Sequence, residues 1–187
     1  MPIPEAISIK KEEDIHEQKL IALLDEERLH YLGSMVLGLN DALVEFTGSL
    51  AGYSFAMQSN KLISLAGLIT GIAATLSMAS SELLSARTDG DPNAMKSAAY
   101  TGVAYLFTVV ALILPFLLLP DKMYGLALVI MLVVVVVIIA AFNYYIAVAK
   151  DLSFRKRFLE MLTISLSVAG LSFVIGLVVK KFLGISV

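Results

Sequence analysis

Two carboxylates and an amide lie within a stretch of sequence that is otherwise apolar. Asn40, Asp41 and Glu45 all fall inside the run 34–57. A carboxylate deep in a membrane costs on the order of 2.5–3.5 kcal/mol on insertion scales, so acidic residues there generally have a function. Asp41 and Glu45 are four residues apart and therefore share one face of a helix. Such a pair offers a divalent cation hard oxygen ligands and negative charge.

The next apolar run, 62–86, has a face that could meet this pair. Small and polar residues recur along it at spacings of three or four: Gly67, Gly71, Thr75, Met78 and Glu82. A thioether ligand such as Met78 would favour Fe²⁺ or Co²⁺ over the harder Mg²⁺ or Ca²⁺. The first run has a G-x-x-x-G pair of its own, Gly48 and Gly52, which we expect to continue the face of its carboxylates. Such glycine pairs let helix backbones approach closely.

Depth in the membrane provides an independent test of this grouping. If the first helix enters near Met35, Asp41 lies roughly 9 Å and Glu45 about 15 Å below the surface at 1.5 Å per residue. If the second helix returns to that surface, Glu82 lies about 7 Å and Met78 about 13 Å below it. The four side chains therefore fall in one slab of the membrane. Neighbouring carboxylates perturb each other's protonation, so a metal bound there would displace protons.

Simpler structural interpretations exist for some of these residues. Met78 could be an ordinary packing residue, and Glu82 could form a salt bridge with Arg87 at the membrane surface. The pair of Asp41 and Glu45 is harder to explain by structure alone, because intramembrane acids are costly.

Weaker candidates lie nearer the N-terminus. Glu13 and His16, like Glu27 and His30, have the E-x-x-H spacing that binds metal in helical bundles. A solvated charged helix produces this spacing by chance, and the function of these pairs stays open. Asn40 is a further weak candidate, because it adjoins Asp41.

The elements that must position these residues are membrane helices. The chain is 58% hydrophobic and 16% charged, with a mean hydropathy of +0.85, whereas soluble domains are about half apolar and a quarter charged. Five runs have the roughly 20 residues that a span needs: 34–57, 62–86, 98–119, 124–149 and 159–182. We expect an all-α integral membrane protein, with a transmembrane domain over 34–187 and an amphipathic helix over 1–33 at the cytosolic surface.

Charge sets the orientation and excludes several classes of function. Ten of the fourteen Lys and Arg residues fall on the side that holds the N-terminus, which predicts an N-in, C-out topology. The net charge of −2 argues against a nucleic-acid partner. Because there is no cysteine, thiolate metal sites and disulfides are excluded. We expect that the protein is not an enzyme, since the spans contain no His and no Ser beside an evident base. The remaining alternative is an intramembrane protease in which Asp41 and Glu45 form an aspartyl dyad.

Two motifs resemble those of the vacuolar iron transporter family. Residues 37–45, LGLNDALVE, are similar to that family's first helix, which carries a G-x-N/S-D-G/A signature. Residues 77–85, SMASSELLS, are similar to its second-helix pattern, close to M-A-x-G-E-Y-x-S. The order and spacing of the motifs agree with the family, and the resemblance extends over about 33–187.

The resemblance implies a homodimer whose first two helices line a path for Fe²⁺ or Mn²⁺, with Co²⁺ and Zn²⁺ as further candidates. The ion would leave the cytosol in exchange for protons, with no permanently bound cofactor, across what we expect to be a prokaryotic cell membrane. Asp41 and Met78 would be the metal-handling pair, with Glu45 and Glu82 as further acidic members.

This sequence also departs from the family. The connection 87–97 is too short for the cytosolic metal-binding domain of plant-like members, and 1–33 is too short for the ferritin-like domain of some prokaryotic relatives. Ser81 replaces Gly and Leu83 replaces Tyr in the second motif, which leaves the preferred ion open. The alternative function is a membrane metal sensor or assembly subunit that uses the same site without transport.

Overall fold

The computed structural model describes residues 31–149 and 152–183, and these residues form five long helices. Helix α1 covers 31–57, α2 Asn60–Thr88, α3 Ala94–Leu118, α4 Tyr124–Ala149 and α5 Phe154–Leu183. A short 3₁₀ helix, Asp121–Met123, precedes α4. Each of the five predicted apolar runs lies within one of these helices. Some begin several residues earlier than predicted, because hydropathy marks only the part of a helix that contacts lipid.

Four of the helices are long and apolar enough to cross a membrane: Asn60–Thr88, Ala94–Leu118, Asp121–Val148 and Phe154–Val179. Helix α1 is not among them, because a π-helical segment, Ala42–Phe46, divides it into two shorter α-helical parts. With the π segment included, α1 is roughly 40 Å long, which suffices for a fifth span. That fifth span and the N-in orientation stay predictions, and the predicted helix over 1–33 lies almost entirely outside the described residues.

The helices pair along the bundle so that α1 lies against α5 and α2 against α3. Helix α4 contacts both α3 and α5. The core lies where α1, α3 and α4 meet, and its fully buried side chains include Leu43, Phe46, Tyr105, Leu112, Met131 and Ile139. Helix α1 is therefore held from several sides, and its position fixes that of Asp41 and Glu45.

The π segment is the main irregularity of α1. It begins directly after Asp41 and contains Glu45. In a π turn the hydrogen bonds run from i to i+5, so the turn contains an extra residue, and such bulges are frequent at functional sites. The extra residue rotates the second half of α1 relative to a regular helix.

The connections between the helices are short. Residues 58–59 join α1 to α2, and residues 89–93 join α2 to α3. Asp121 ties the α3–α4 connection to the start of α2, since it accepts hydrogen bonds from Ser59 Oγ at 2.7 Å and from the Lys61 backbone N–H at 3.0 Å. Because only five residues separate α2 from α3, no extra domain lies between them.

Candidate functional site

A small cavity lies between α1 and α2. It has a volume of about 130 Å³ and is lined by Asp41, Glu45, Ala74, Ser77, Met78 and Ser81. Two carboxylates and one thioether therefore border the same space, as their predicted depths in the membrane suggested. We call this space the α1–α2 cavity.

Two glycines of α2 let it approach the rest of the bundle closely. A Cβ on Gly67 would lie 2.9 Å from Leu50 Cδ2 of α1, and a Cβ on Gly71 would lie 2.5 Å from Val109 Cγ1 of α3. Larger side chains at these positions would push α2 away from α1 and α3. Met78 lies two turns further along α2, so the glycines help to set its distance from Asp41.

The glycines of α1 face a different helix from the one expected. A Cβ on Gly48 would lie 2.9 Å from Val168 Cγ1, and a Cβ on Gly52 would lie 3.3 Å from the Ser172 carbonyl oxygen, both on α5. The expectation that these glycines continue the carboxylate face toward α2 is therefore wrong. The π segment lies between Asp41 and Gly48, and its extra residue turns the glycines toward α5.

Glu45 is the more accessible of the two carboxylates of the site. Its side chain is exposed at the surface of the chain, although it belongs to an apolar helix. The Tyr105 hydroxyl of α3 donates a hydrogen bond to Glu45 Oε2 at 3.2 Å, and the carboxyl groups of Asp41 and Glu45 interact directly. A third helix thus contributes to the position of Glu45.

Glu82 lies on α2 but does not line the α1–α2 cavity. It accepts a hydrogen bond from Ser34 Oγ at 2.8 Å. This bond joins α1 to α2 about one helical turn beyond Met78. In this structure Glu82 therefore connects the two helices, and it lies outside the group formed by the other three candidates.

The weaker candidates do not join the α1–α2 cavity. Asn40 lines two other spaces, one between α1, α4 and α5 and one between α1 and α5. Glu13, His16, Glu27 and His30 lie outside the described residues.

A single chain offers few metal ligands at this site. Within 31–149 and 152–183, no three His, Asp or Glu residues are grouped closely enough to hold a metal ion. The α1–α2 cavity contributes two carboxylates, one thioether and the hydroxyls of Ser77 and Ser81. This set can contact a cation, but it does not surround one.

Three residues of the site were missed by the sequence analysis. Ser77 and Ser81 flank Met78 at a spacing of four, which places them on one helix face. Tyr105 carries a hydroxyl inside an apolar helix, and such a group generally needs a partner when buried. Spacing could have identified the two serines, whereas the link from Tyr105 to Glu45 depends on how α3 packs against α1.

A comparison with known protein families gives one match. The sequence model of the VIT family matches residues 32–94. Over this segment the chain is similar to the VIT family. The matched segment covers nearly all of α1, the whole of α2 and the turn into α3, and it includes the four principal candidates, Asp41, Glu45, Met78 and Glu82. No curated protein matches the chain significantly.

The family match and the apolar helices together indicate the general class of the protein. It is an integral, multi-pass membrane protein, and the match indicates membrane metal-ion transport. The resemblance noted in the two motifs is thereby confirmed over the first two helices.

Proposed function

We propose that this protein exports Fe²⁺ or Mn²⁺ from the cytosol across a prokaryotic cell membrane, in exchange for protons. The observation that carries the proposal is that Asp41, Glu45 and Met78 line one cavity inside the segment that matches the VIT family. Carboxylates compensate the charge of a divalent cation, and a thioether favours transition metals over Mg²⁺ or Ca²⁺.

The exposure of polar groups supports a homodimer as the working unit. Glu45, Ser77 and Ser81 are exposed at the surface of the single chain, although they lie in apolar helices. A charged side chain that faced lipid there would be costly, and such residues usually face a bundle interior or a water-filled cavity. A second copy that covered this surface would shield Glu45 and double the carboxylates and thioethers around the ion.

The direct contact between Asp41 and Glu45 supports the proposal of proton exchange. Two carboxylates this close repel each other when both are charged. Either a divalent cation or protons can supply the positive charge that offsets this repulsion. Metal moving one way and protons the other would then use the same pair of groups.

The decisive experiment is metal flux in proteoliposomes under an imposed pH gradient. Fe²⁺, Mn²⁺, Co²⁺, Zn²⁺ and Mg²⁺ would be supplied in turn, with a pH-sensitive dye recording protons. We expect gradient-dependent flux of Fe²⁺ or Mn²⁺, with counterflow of protons, that Asp41→Asn reduces to background. Asp89→Asn is the matched control, because Asp89 is exposed at the end of α2 and lines no part of the cavity.

The same experiment separates transport from the alternative function. A protein that binds Fe²⁺ or Mn²⁺ in calorimetry, loses that binding in Asp41→Asn and yet gives no flux would be a metal sensor or assembly subunit. Flux that is unchanged in Asp41→Asn would reject the α1–α2 cavity as the transport site.

A further inference from the structure

A second polar cavity lies on the other side of α1. It occupies the end of the bundle at which the described part of α1 begins, α4 ends and α5 begins. Its volume is about 180 Å³, and its lining residues are Asn40, Asn143, Arg157, Glu160, Met161 and Ile164. We call it the α5-side cavity. None of its residues lines the α1–α2 cavity.

The α5-side cavity is lined by charged groups of both signs, whereas the charged groups of the α1–α2 cavity are the carboxylates of Asp41 and Glu45. Arg157 and Glu160 bring one positive and one negative group, three residues apart on α5. A divalent cation would be repelled by the guanidinium, and a simple anion would be repelled by the carboxylate. A zwitterion, with one charge of each sign, can satisfy both side chains at once.

The depth of the cavity corresponds to the headgroup region of a membrane. Arg157 lies roughly 5 Å and Glu160 about 9 Å along the helix axis from Phe154, the first residue of α5. Asn143 lies a similar distance, about 9 Å, from the end of α4. The bilayer beyond its hydrocarbon core is several ångströms thick on each side. If Phe154, where the apolar span begins, lies at the membrane surface, these polar groups lie at or just below the phosphate level.

An open cleft adjoins the cavity and continues along α1 and α5. It has a volume of about 520 Å³ and shares Asn40, Met161 and Ile164 with the α5-side cavity. Its other lining residues are Gly33, Val36, Leu37, Asp41 and Val44. Apart from Asn40 and Asp41 this lining is apolar, so the cleft suits a hydrocarbon chain that enters beside a polar head.

We infer that the α5-side cavity and the adjoining cleft bind a zwitterionic phospholipid with a primary ammonium headgroup. Arg157 binds the phosphate, because guanidinium groups match phosphate geometry. Glu160 accepts hydrogen bonds from the ammonium group, and one acyl chain lies in the cleft. A primary ammonium has N–H donors for the carboxylate, whereas a trimethylated one has none.

The test is lipid binding to the purified full chain, and it does not depend on transport. Native mass spectrometry would record retention of phosphatidylethanolamine, phosphatidylcholine and phosphatidylglycerol with identical acyl chains. We expect phosphatidylethanolamine to bind at least about tenfold more tightly than the other two. Glu160→Gln should remove the preference over phosphatidylcholine, and Arg157→Gln should weaken binding of all three phosphate headgroups.

Arg155→Gln is the matched control, because Arg155 lies two residues before Arg157 and is exposed without lining the cavity. It should bind all three lipids as the unaltered chain does. Ile164→Trp, which fills the space between cavity and cleft, provides a variant that keeps every charge and should also lose lipid. Equal retention of the three lipids by the unaltered chain, or equal effects of Arg157→Gln and Arg155→Gln, would overturn the inference.

Discussion

The two sides of α1 carry different chemistry although they begin at neighbouring residues. Toward α2, Asp41 and Glu45 meet Met78 in a cavity that no basic side chain of residues 31–149 and 152–183 lines. Toward α5, Asn40 borders a cavity with both Arg157 and Glu160. Successive residues of a helix point about 100° apart, because a turn takes 3.6 residues. One turn of α1 can therefore serve a site of uniform negative charge and a site of mixed charge.

The largest expected effect comes from removing charge on the α2 side. Glu45→Gln should lower the initial rate of Fe²⁺ or Mn²⁺ flux at least about tenfold, equal to roughly 1.4 kcal/mol, because one of two cavity carboxylates loses its charge. Glu82→Gln should have a smaller effect, since Glu82 joins α2 to Ser34 and does not line the cavity. Initial rates in proteoliposomes measure both. A larger loss of flux in Glu82→Gln than in Glu45→Gln would indicate that the transport site lies at Glu82, nearer the membrane surface.

The next effect concerns the close packing of α1 against α3, which fixes the orientation of α1. A Cβ on Gly38 would overlap the backbone carbonyl oxygen of Thr101 in α3, whereas a Cβ on Gly33 would meet no atom of the described part of the chain within 4 Å. Gly38→Ala should therefore destabilise the chain by about 1–3 kcal/mol through overpacking. Gly33→Ala should be neutral or stabilising, because alanine favours helix over glycine by roughly 0.5–1 kcal/mol.

Thermal unfolding in one detergent, with the two glycine variants side by side, checks this expectation. Gly38→Ala should melt at a lower temperature than the unaltered chain, and Gly33→Ala should not. Equal melting temperatures for the two variants would mean that α1 moves away from Thr101 at little cost, so that the backbone contact does not fix the orientation of α1.

The smallest expected effect is a change of preference between ions. Met78→Leu conserves volume but removes the thioether, so the ratio of Fe²⁺ to Mn²⁺ flux should fall by a factor of about two to five, or roughly 0.4–1 kcal/mol. Met131→Leu is the control, because Met131 is fully buried in α4 and lines no part of the cavity. Competition between the two ions in one vesicle preparation gives the ratio. An identical shift in both variants would assign the effect to packing and leave Met78 without a role as a ligand.

Much of the helical framework could be read from the sequence. Hydropathy depends on composition averaged over about 20 residues, and it located the five helices with small errors at their ends. The spacing of Asp41 and Glu45 and the estimated depth of Met78 were enough to group three side chains that line one cavity. The E-x-x-H pairs lie outside the described residues, and their role stays a prediction.

By itself, then, the sequence determined that this chain is helical, membrane-embedded and similar to the VIT family over its first two helices, because length, apolarity and two local motifs suffice for these conclusions. The tertiary structure decided which helix each face of α1 meets. The π segment Ala42–Phe46 turns Gly48 and Gly52 toward α5. The packing of α3 against α1 places the Tyr105 hydroxyl within hydrogen-bonding distance of Glu45. Asn40 lines the same cavity as Arg157 and Glu160. Each outcome depends on contacts between residues far apart in the chain, which helical periodicity alone does not encode.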